Sequence, residues 1–290
     1  MKILNKEQIQ EADAYTIENE PVKSIDLMER ASRAFVHQFI SRFHPEVPVK
    51  VFAGKGNNGG DGLAIARMLL NRGYRVTVYV VQFTDKASDD FQVNRSRLEK
   101  LNTGHIVDLY ENTELPNLHE GDVVIDAMWG SGLDRPIKGF ARNVIQAIND
   151  SEAHVVAVDI PSGVYCDSIN EDEVKVKADY TYTFQLPKLS FLFPEEQDYT
   201  GEFKVLDIGL AQQFINAQET AYHYIDEPLA KPCLTKRKKF QHKGHFGHSL
   251  VMAGSYGKIG AAIIMAQACL RSGSGLLTVY TPACGYQPVQ

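Results

Sequence analysis

The 290-residue sequence is poor in cysteine, contains a single tryptophan and has no long apolar run. Its four cysteines show no close pairing, so free thiols in a reducing compartment are expected rather than a disulfide scaffold or a zinc site. No stretch approaches the roughly 20 apolar residues of a membrane-spanning helix. The first twenty residues carry acidic side chains and lack the apolar core of a signal peptide. The sequence therefore predicts a cytoplasmic protein without a membrane partner.

The sequence also lacks an excess of positive charge. Its formal net charge is −6, which argues against nucleic acid as a partner because nucleic-acid-binding surfaces are usually basic. A hydrophobic content of 44% with 23% charged residues is typical of a globular protein. The length suffices for one large domain or two ordinary ones.

Glycine, in contrast, is concentrated in one place. Residues 49–81 predict a strand, a glycine-rich turn, a helix and a second strand, with glycine at five of the nine positions 54–62. That density indicates a loop where the backbone approaches another group closely, followed by a helix from Leu63 whose N-terminus favours an anion. The match to a dinucleotide fingerprint is weak, because no acidic residue ends the second strand, and a P-loop is excluded by the missing Gly-Lys-Ser/Thr. Asp61 within this turn is either functional or merely a helix cap.

Two further predicted strands end in a carboxylate. Asp126 follows an apolar strand and precedes the glycine-containing stretch 127–139, and Asp159 follows the strand 154–158 and precedes Ile160-Pro161-Ser162. In parallel sheets the carboxyl ends of the strands meet at one edge. We therefore expect Asp61, Asp126 and Asp159 to share one site. Trp129 either stacks on a ligand ring or closes the core.

The order of the elements predicts the fold. Apolar strands alternating with helices predict an α/β protein, a Rossmann-like three-layer αβα sandwich with a mostly parallel sheet. Asn5 and Gln8 have the spacing of a capping box that opens an N-terminal helix. A strand within 201–209 closes this region, residues from 211 to 240 have the composition of a linker, and a fresh strand–loop–helix–strand follows. His242, His245 and His248 in that last part are a weak candidate for a metal site, since no acid or cysteine accompanies them.

Three motifs carry a resemblance to a known family. GKGNNGGDGLAIAR at 54–67, VVIDAMWGSGLDRPIKG at 123–139 and VVAVDIPSGV at 155–164 are similar, in this order, to the signature loops of the YjeF N-terminal domain family of NAD(P)H-hydrate epimerases. The similarity covers roughly residues 1–210. It implies an isomerase for nicotinamide nucleotide repair, interconverting the R and S forms of NADH or NADPH hydrated at C6. A non-catalytic nucleotide-binding or protein-interaction module on the same fold is the alternative.

The chemistry at C6 requires a proton donor and acceptor close to a transient cation. Asp159 is the first candidate for proton transfer and Asp61 the second. The resemblance implies substrate contacts from the first and second motifs and from Asp159. These contacts would come from Asn57, Asn58, Gly59, Gly60, Asp61, Gly130, Ser131, Gly132, Leu133, Asp134, Arg135, Pro136 and Asp159.

The resemblance also implies a bound K⁺ and the organisation of the chain. The K⁺ ligands would be Asn58, Asp126 and Ser162, and oxygen ligands of this kind suit an alkali ion better than a transition metal. Family members commonly dimerise, so a homodimer is possible. The expected organisation is an epimerase domain at 1–212, a linker at 213–240, and at 241–290 the incomplete start of a ribokinase-like NAD(P)H-hydrate dehydratase domain. That part is expected to be inactive alone, and ADP or ATP would serve only a complete dehydratase (a lyase) in a bifunctional chain.

Overall fold

The computed structural model describes residues 1–101, 105–171, 174–234 and 236–290. The chain forms two compact units, Met1–Asp226 and Glu227–Gln290. Within the described ranges, no helix combines the length and apolar character that crossing a membrane requires.

The first unit is built on a seven-stranded sheet. Its strands are β1 (Val49–Ala53), β2 (Val76–Val81), β3 (His105–Leu109), β4 (Val123–Ala127), β5 (His154–Val158), β6 (Tyr180–Phe184) and β7 (Glu202–Leu206). They lie in the order β3-β2-β1-β4-β5-β6-β7, and every neighbouring pair is parallel. The central strand β1 pairs with β2 on one side and β4 on the other, so that Val51 lies between Val78 and Ile125. The predicted α/β class with a Rossmann-like sheet is confirmed.

Helices cover both faces of this sheet. The helices of the first unit are α1 (Lys6–Asn19), α2 (Ser24–Ile40), α3 (Asn57–Leu70), α4 (Asp89–Glu99), α5 (Phe140–Asn149), α6 (Gln197–Thr200) and α7 (Gln212–Ala217), with 3₁₀ turns at Leu189–Leu192 and Pro194–Glu196. Apolar side chains of α2, α3 and α4 share one core cluster with β1 and β2, whereas those of α5 share a second cluster with the opposite face. Burial from water on both sides explains why the strands are almost continuously apolar.

The N-terminal helix α1 packs against residues that follow β6 and β7. The predicted capping box is present, since the Gln8 backbone N–H donates to Asn5 Oδ1 at 2.8 Å and the Asn5 N–H donates to Gln8 Oε1 at 3.1 Å. Ala12 of α1 packs in a third cluster with Leu186, which follows β6, and Ile208, which follows β7. Helix α1 therefore lies at the carboxyl ends of β6 and β7.

The start of α3 differs from the prediction. The helix begins at Asn57, with Gly56 as its N-cap, whereas the sequence predicted a loop up to Gly62. The expected close approach of the backbone is nevertheless present inside the helix. A Cβ on Gly59 would lie 1.8 Å from the Gly54 carbonyl oxygen, and one on Gly62 would lie 2.6 Å from Ala127 Cβ. The glycines let the first turns of α3 pack against the loop after β1 and the end of β4.

The second unit is small and contains one parallel strand pair. Its elements are α8 (Glu227–Ala230), β8 (His248–Met252), α9 (Ile259–Arg271), β9 (Leu276–Tyr280) and α10 (Tyr286–Val289), with 3₁₀ turns at Lys231–Cys233, Lys243–Phe246 and Ala283–Gly285. Strands β8 and β9 are parallel and are connected through α9. Val251 and Ala262 are buried, while Leu250, Met252 and Ile264 are more than half exposed. The predicted strand–loop–helix–strand is confirmed; its ribokinase-like nature and the domain limits stay predictions.

Substitution of Gly59 by Ala tests the packing at the start of α3. Alanine has the higher helix propensity, by about 1 kcal/mol. Because the clash is with the backbone of Gly54 and no flexible side chain can move away, we expect the overpacking to outweigh that gain and lower the free energy of unfolding by about 2 kcal/mol or more. Urea denaturation checks this. Gly121→Ala is the control, since its added Cβ meets no atom within 4 Å; equal stability of both variants would contradict the packing argument.

Candidate functional site

A cavity of about 880 Å³ lies at the carboxyl ends of the strands. Residues 55–58 line it after β1, residues 83, 84 and 86–88 after β2, and residues 128–135 after β4. Asp159 contributes from the end of β5, Phe184 and Lys188 from the end of β6, and Ile208 and Leu210 from beyond β7. Side chains of α1 and α2 complete the wall. The carboxyl edge of the sheet, where the sequence predicted a shared site, thus contains a cavity of the size of small-molecule sites.

Most of the predicted site residues line this cavity. They are Asn57, Asn58, Asp61, Gly130, Ser131, Gly132, Leu133, Asp134, Arg135 and Asp159. Gly59 and Gly60 do not line it, because they pack against Gly54 and Met28. Pro136 does not line it either, and Asp126 and Ser162 are fully buried. The structure therefore brings two of the three expected carboxylates, Asp61 and Asp159, to one cavity.

Asp159 is held in an unusual backbone conformation. Its φ is +64°, a left-handed value that non-glycine residues adopt rarely and at an energetic cost. Its Oδ1 accepts hydrogen bonds from Thr183 Oγ1 at 3.1 Å, from the Phe184 N–H at 3.0 Å and from Lys188 Nζ at 2.8 Å. These three donors, all from the end of β6 and the turn after it, fix the position of the carboxylate at the cavity wall.

Lys188 is a functional candidate that the sequence analysis missed. Its side chain is only 1% exposed, and its Nζ also donates to the carbonyl oxygens of Phe184 at 3.2 Å and Leu186 at 3.3 Å. A buried ammonium group needs such partners because removing it from water is costly. In the sequence Lys188 occupies an ordinary turn after β6, so no local signal marked it.

Asp61 has a strongly perturbed carboxyl group. Burial, together with the negative charges of Asp159 and Asp13, raises its pKa well above the usual range, and a hydrogen bond from Ser32 opposes this only in part. The Ser32 hydroxyl lies 3.4 Å from Asp61 Oδ1. Asp61 does not cap α3, because the N-cap is Gly56 and no side chain bonds that helix end. The capping alternative is therefore wrong, and Asp61 belongs to the cavity.

Asp13 is a third acidic group of the cavity that the sequence analysis did not identify. It lies on α1 and lines the cavity. Burial and the charge of Asp159 raise its pKa to about 6, with the positive charge of Lys188 acting in the opposite direction. Its only signal in the sequence was its position between Ala12 and Ala14 on the helix that the capping box opens, which is too weak to distinguish it from the other acids of that helix.

Asp126, Ser162 and Asn58 are connected through the backbone of Trp129. Asp126 accepts from the Ser162 hydroxyl at 2.6 Å, the Ser162 N–H at 2.7 Å and the Met128 N–H at 3.2 Å. The Trp129 N–H donates to Ser162 Oγ at 3.0 Å, and the Asn58 amide donates to the Trp129 carbonyl at 2.8 Å. Burial raises the pKa of Asp126 to about 6, against these hydrogen bonds. The network ties together the loops after β1, β4 and β5.

The aromatic residue of the second motif stacks on a neighbour. The rings of Trp129 and Phe83 are 4.1 Å apart at 23°, and both line the cavity. Trp129 thus packs against protein and also faces the cavity.

The histidines of the second unit contact one another or a neighbouring hydroxyl group. His242 and His245 lie ring to ring at 4.1 Å, and His248 bonds to Thr278 at 2.8 Å. In the part of the chain that the structure describes, no group of three or more His, Cys, Asp or Glu side chains is placed to hold a metal ion.

Comparisons with known proteins place this chain in a family. Residues 24–190 match the family model described as YjeF-related protein N-terminus. A bifunctional NAD(P)H-hydrate repair enzyme, Nnr, from Coxiella burnetii is 35% identical over 275 residues, which cover 94% of this chain and 55% of the relative. An NAD(P)H-hydrate epimerase from Limosilactobacillus fermentum is 37% identical over 203 residues, which cover 69% of this chain and 93% of the relative. The chain spans about half the length of the bifunctional relatives that it matches.

The fold is also similar to a solved structure. The crystal structure of the yeast protein ynu0 superposes with a TM-score of 0.65 at 19% identity, covering 78% of this chain and 97% of the yeast chain. This likeness concerns the fold alone. The family match and the identities to its relatives together show that the chain belongs to the YjeF N-terminal domain family, which includes proteins named NAD(P)H-hydrate epimerase.

Proposed function

We propose that this protein is an NAD(P)H-hydrate epimerase that interconverts the R and S forms of the C6 hydrate. The observation that carries the proposal is the arrangement of Asp61 and Asp159 on one cavity together with the loops 55–58 and 128–135. The names of the relatives supply the substrate class. A carboxylic acid with a raised pKa beside a fixed carboxylate is what an acid–base reaction through a cation requires.

The reaction needs no change in oxidation state. C6 of the hydrate carries a hydroxyl group and is bonded to the ring nitrogen. Protonation of the hydroxyl lets the C6–O bond break, the nitrogen lone pair forms a C=N bond, and water leaves. Addition of water to the other face of this planar iminium, with loss of a proton, gives the other epimer. The protein must therefore donate a proton, receive one and stabilise a short-lived positive charge.

Asp61 is assigned as the proton donor in this scheme. Burial and the charges of Asp159 and Asp13 raise its pKa well above the usual range, which favours the protonated form that can give a proton to the hydroxyl. Asp159 is assigned as the negative charge that stabilises the iminium. Its Oδ1 is held by Thr183, Phe184 and Lys188, so little reorganisation is needed when the cation forms. This division of roles differs from the sequence-based preference, which put Asp159 before Asp61 as the proton-transfer group.

The nucleotide part of the substrate has suitable partners in the same cavity. The first turn of α3 carries backbone N–H groups that no helix partner satisfies, and Asn57 and Asn58 lie there. Lys55, Lys86 and Arg135 line the cavity and supply positive charge. We assign the phosphates to this side and the nicotinamide ring to the side of Asp61 and Asp159.

K⁺ is the proposed cofactor, held by Asn58, Asp126 and Ser162. The residues fit an alkali ion, since all three offer hard oxygen atoms and Asp126 is a buried carboxylate that accepts hydrogen bonds and has no ion-pair partner among the described residues. When bound, the ion would supply positive charge that compensates Asp126 and stabilises the junction of the loops after β1, β4 and β5. The chain's own residues perform the proton transfers.

The second unit has no proposed activity of its own. The name of the bifunctional relatives implies a second activity, which the resemblance of residues 241–290 suggests is dehydration. We propose that residues 227–290, with one strand pair and one long helix, do not support dehydration by themselves. An assay with ATP or ADP, following loss of either hydrate epimer, tests this.

Replacement of Asp159 by Asn tests the main proposal. The amide keeps the shape of the side chain but removes the negative charge, so we expect the rate of epimerisation to fall roughly 100-fold or more. Chromatographic separation of the two epimers measures the rate above the uncatalysed one. Asp198→Asn, a change of the same kind at an exposed residue, is the control and should keep the wild-type rate. Undiminished epimerisation in Asp159→Asn would remove Asp159 from the mechanism, and saturable substrate binding without turnover in the wild type would favour a binding module.

The melting temperature of the protein tests for a K⁺ site without an activity assay. We expect KCl to raise the melting temperature above its value in choline chloride of equal ionic strength, because a bound ion stabilises the folded state. The difference should vanish in Asp126→Asn, and NaCl controls for ion size. A melting temperature that is the same in all three salts would argue against a K⁺ site.

A further inference from the structure

Among the described residues, five aspartates line the cavity, and four of them have a role in the proposed scheme or a protein partner. Asp61 and Asp159 carry the assigned chemistry. Asp90 accepts a hydrogen bond from Ser24 Oγ at 2.6 Å, and the side chain of Asp134 is 74% exposed and pairs with Lys6. The fifth, Asp13, has no donor at its carboxylate within the described part of the chain and no assigned task. A carboxylate that faces a cavity without a protein partner is available to a ligand.

We propose that Asp13 is the second proton-transfer group of the reaction and serves the face of C6 opposite to the one that Asp61 serves. The inference rests on the proposed epimerase function. It follows from a requirement of that reaction: water must leave from one face of the ring and add to the other. One carboxyl group fixed in the protein reaches only one face of a bound ring. Inversion within one binding event therefore needs a second group, delivered by a different element.

The fold delivers the two carboxyl groups from different elements. Asp61 lies on α3, which follows the central strand β1, whereas Asp13 lies on α1, which the cluster of Ala12, Leu186 and Ile208 holds at the ends of β6 and β7. Both groups line the same cavity as Asp159, whose negative charge raises the pKa of each. The charged groups acting on Asp13 are Asp159 and Lys188, and Asp13 in turn acts on Asp61. The negative charge of Asp159 thus acts on both carboxyl groups.

The proton balance closes with these groups. In one direction the Asp61 carboxylic acid protonates the C6 hydroxyl, the C6–O bond breaks, and Asp61 becomes a carboxylate as water leaves. The Asp13 carboxylate then takes a proton from a second water while that water forms the new C6–O bond on the other face. In the reverse direction the protonated Asp13 is the acid and the Asp61 carboxylate is the base. Proton exchange with solvent restores the starting forms after each turnover. A carboxyl group that titrates near neutral pH suits this alternation.

The test follows inversion and oxygen exchange separately. Each epimer is incubated on its own in H₂¹⁸O with the wild type, Asp13→Asn and Asp61→Asn. Chromatography measures the opposite epimer, and mass spectrometry measures ¹⁸O in the recovered starting epimer. We expect both single variants to invert at least about 100-fold more slowly than the wild type. In Asp13→Asn, the epimer whose hydroxyl is on the Asp61 face should still exchange that hydroxyl with solvent, and the other epimer should not. In Asp61→Asn, the epimer whose hydroxyl is on the Asp13 face should be the one that exchanges.

The outcomes separate this inference from the epimerase proposal. If the wild type inverts the epimers and Asp13→Asn inverts them at the same rate, the role of Asp13 is overturned and the epimerase function is left intact. Equal loss of exchange for both epimers in Asp13→Asn would also overturn it, since a face-specific group affects the two epimers differently. Absence of both inversion and exchange in the wild type would instead refute the epimerase proposal. Glu11→Gln, an exposed change on the same helix, is the matched control and should behave as wild type.

A measurement of the melting temperature tests whether Asp13→Asn folds. A raised pKa means that the folded protein binds the proton more tightly than the unfolded chain, so ionised Asp13 destabilises the fold above pH 6 and not below about pH 4. The amide removes this effect. Asp13→Asn should therefore melt at a higher temperature than the wild type at pH 8, and the difference should shrink towards pH 4. A variant that melts lower at pH 8 would contradict a cavity-facing carboxylate without partners and overturn the proposal.

Discussion

The repulsion between negative charges withdrawn from water governs this site. Asp61 and Asp159 lie on the same cavity, Asp13 joins them from α1, and each raises the energy of a second ionised carboxylate nearby. The protein reduces this repulsion in two ways. Lys188 and two further groups donate hydrogen bonds to Asp159. Asp61 and Asp13 have raised pKa values, so each holds a proton more readily. One fixed charge beside two protonatable groups is the direct consequence.

That arrangement depends on how tightly the carboxyl ends of the strands are joined. Gly59 and Gly62 let α3 approach the backbone after β1 and the end of β4, which brings Asp61 to the cavity wall. The left-handed backbone of Asp159 places its side chain within hydrogen-bonding distance of donors at the end of β6. The buried network from Asp126 through Ser162 to Trp129 connects the loops between them. Local backbone strain at Asp159 is thus offset by hydrogen bonds from a neighbouring strand.

The sequence predicted the parts of this structure that follow from local pattern. The parallel sheet followed from continuous apolar strands, the N-terminal capping box from Asn5 and Gln8, and the shared edge from carboxylates placed after strands. The predicted start of α3 was wrong because a high density of glycine is typical of loops but is also required where a helix packs closely against backbone. Asp13 and Lys188 escaped notice because their function comes from tertiary contacts, and neither has a neighbour in the sequence that marks it.

The position of α1 bears on the acid–base chemistry that we propose for this site. In the ordinary dinucleotide arrangement the glycine turn and the helix after β1 meet phosphates, and a carboxylate inside that turn would repel them. Here α1 and the turn after β6 enclose the cavity on the side away from the N-terminus of α3, with Asp13 and Lys188 on that wall. Asp13 and Asp159 therefore line the part of the cavity formed by α1 and the ends of β5 and β6, and Lys55, Lys86 and Arg135 carry the positive charge that, under the proposed function, would bind the phosphates. In the proposed function this arrangement lets Asp13 and Asp159 act on the nicotinamide ring while cationic side chains of the same cavity bind the phosphates.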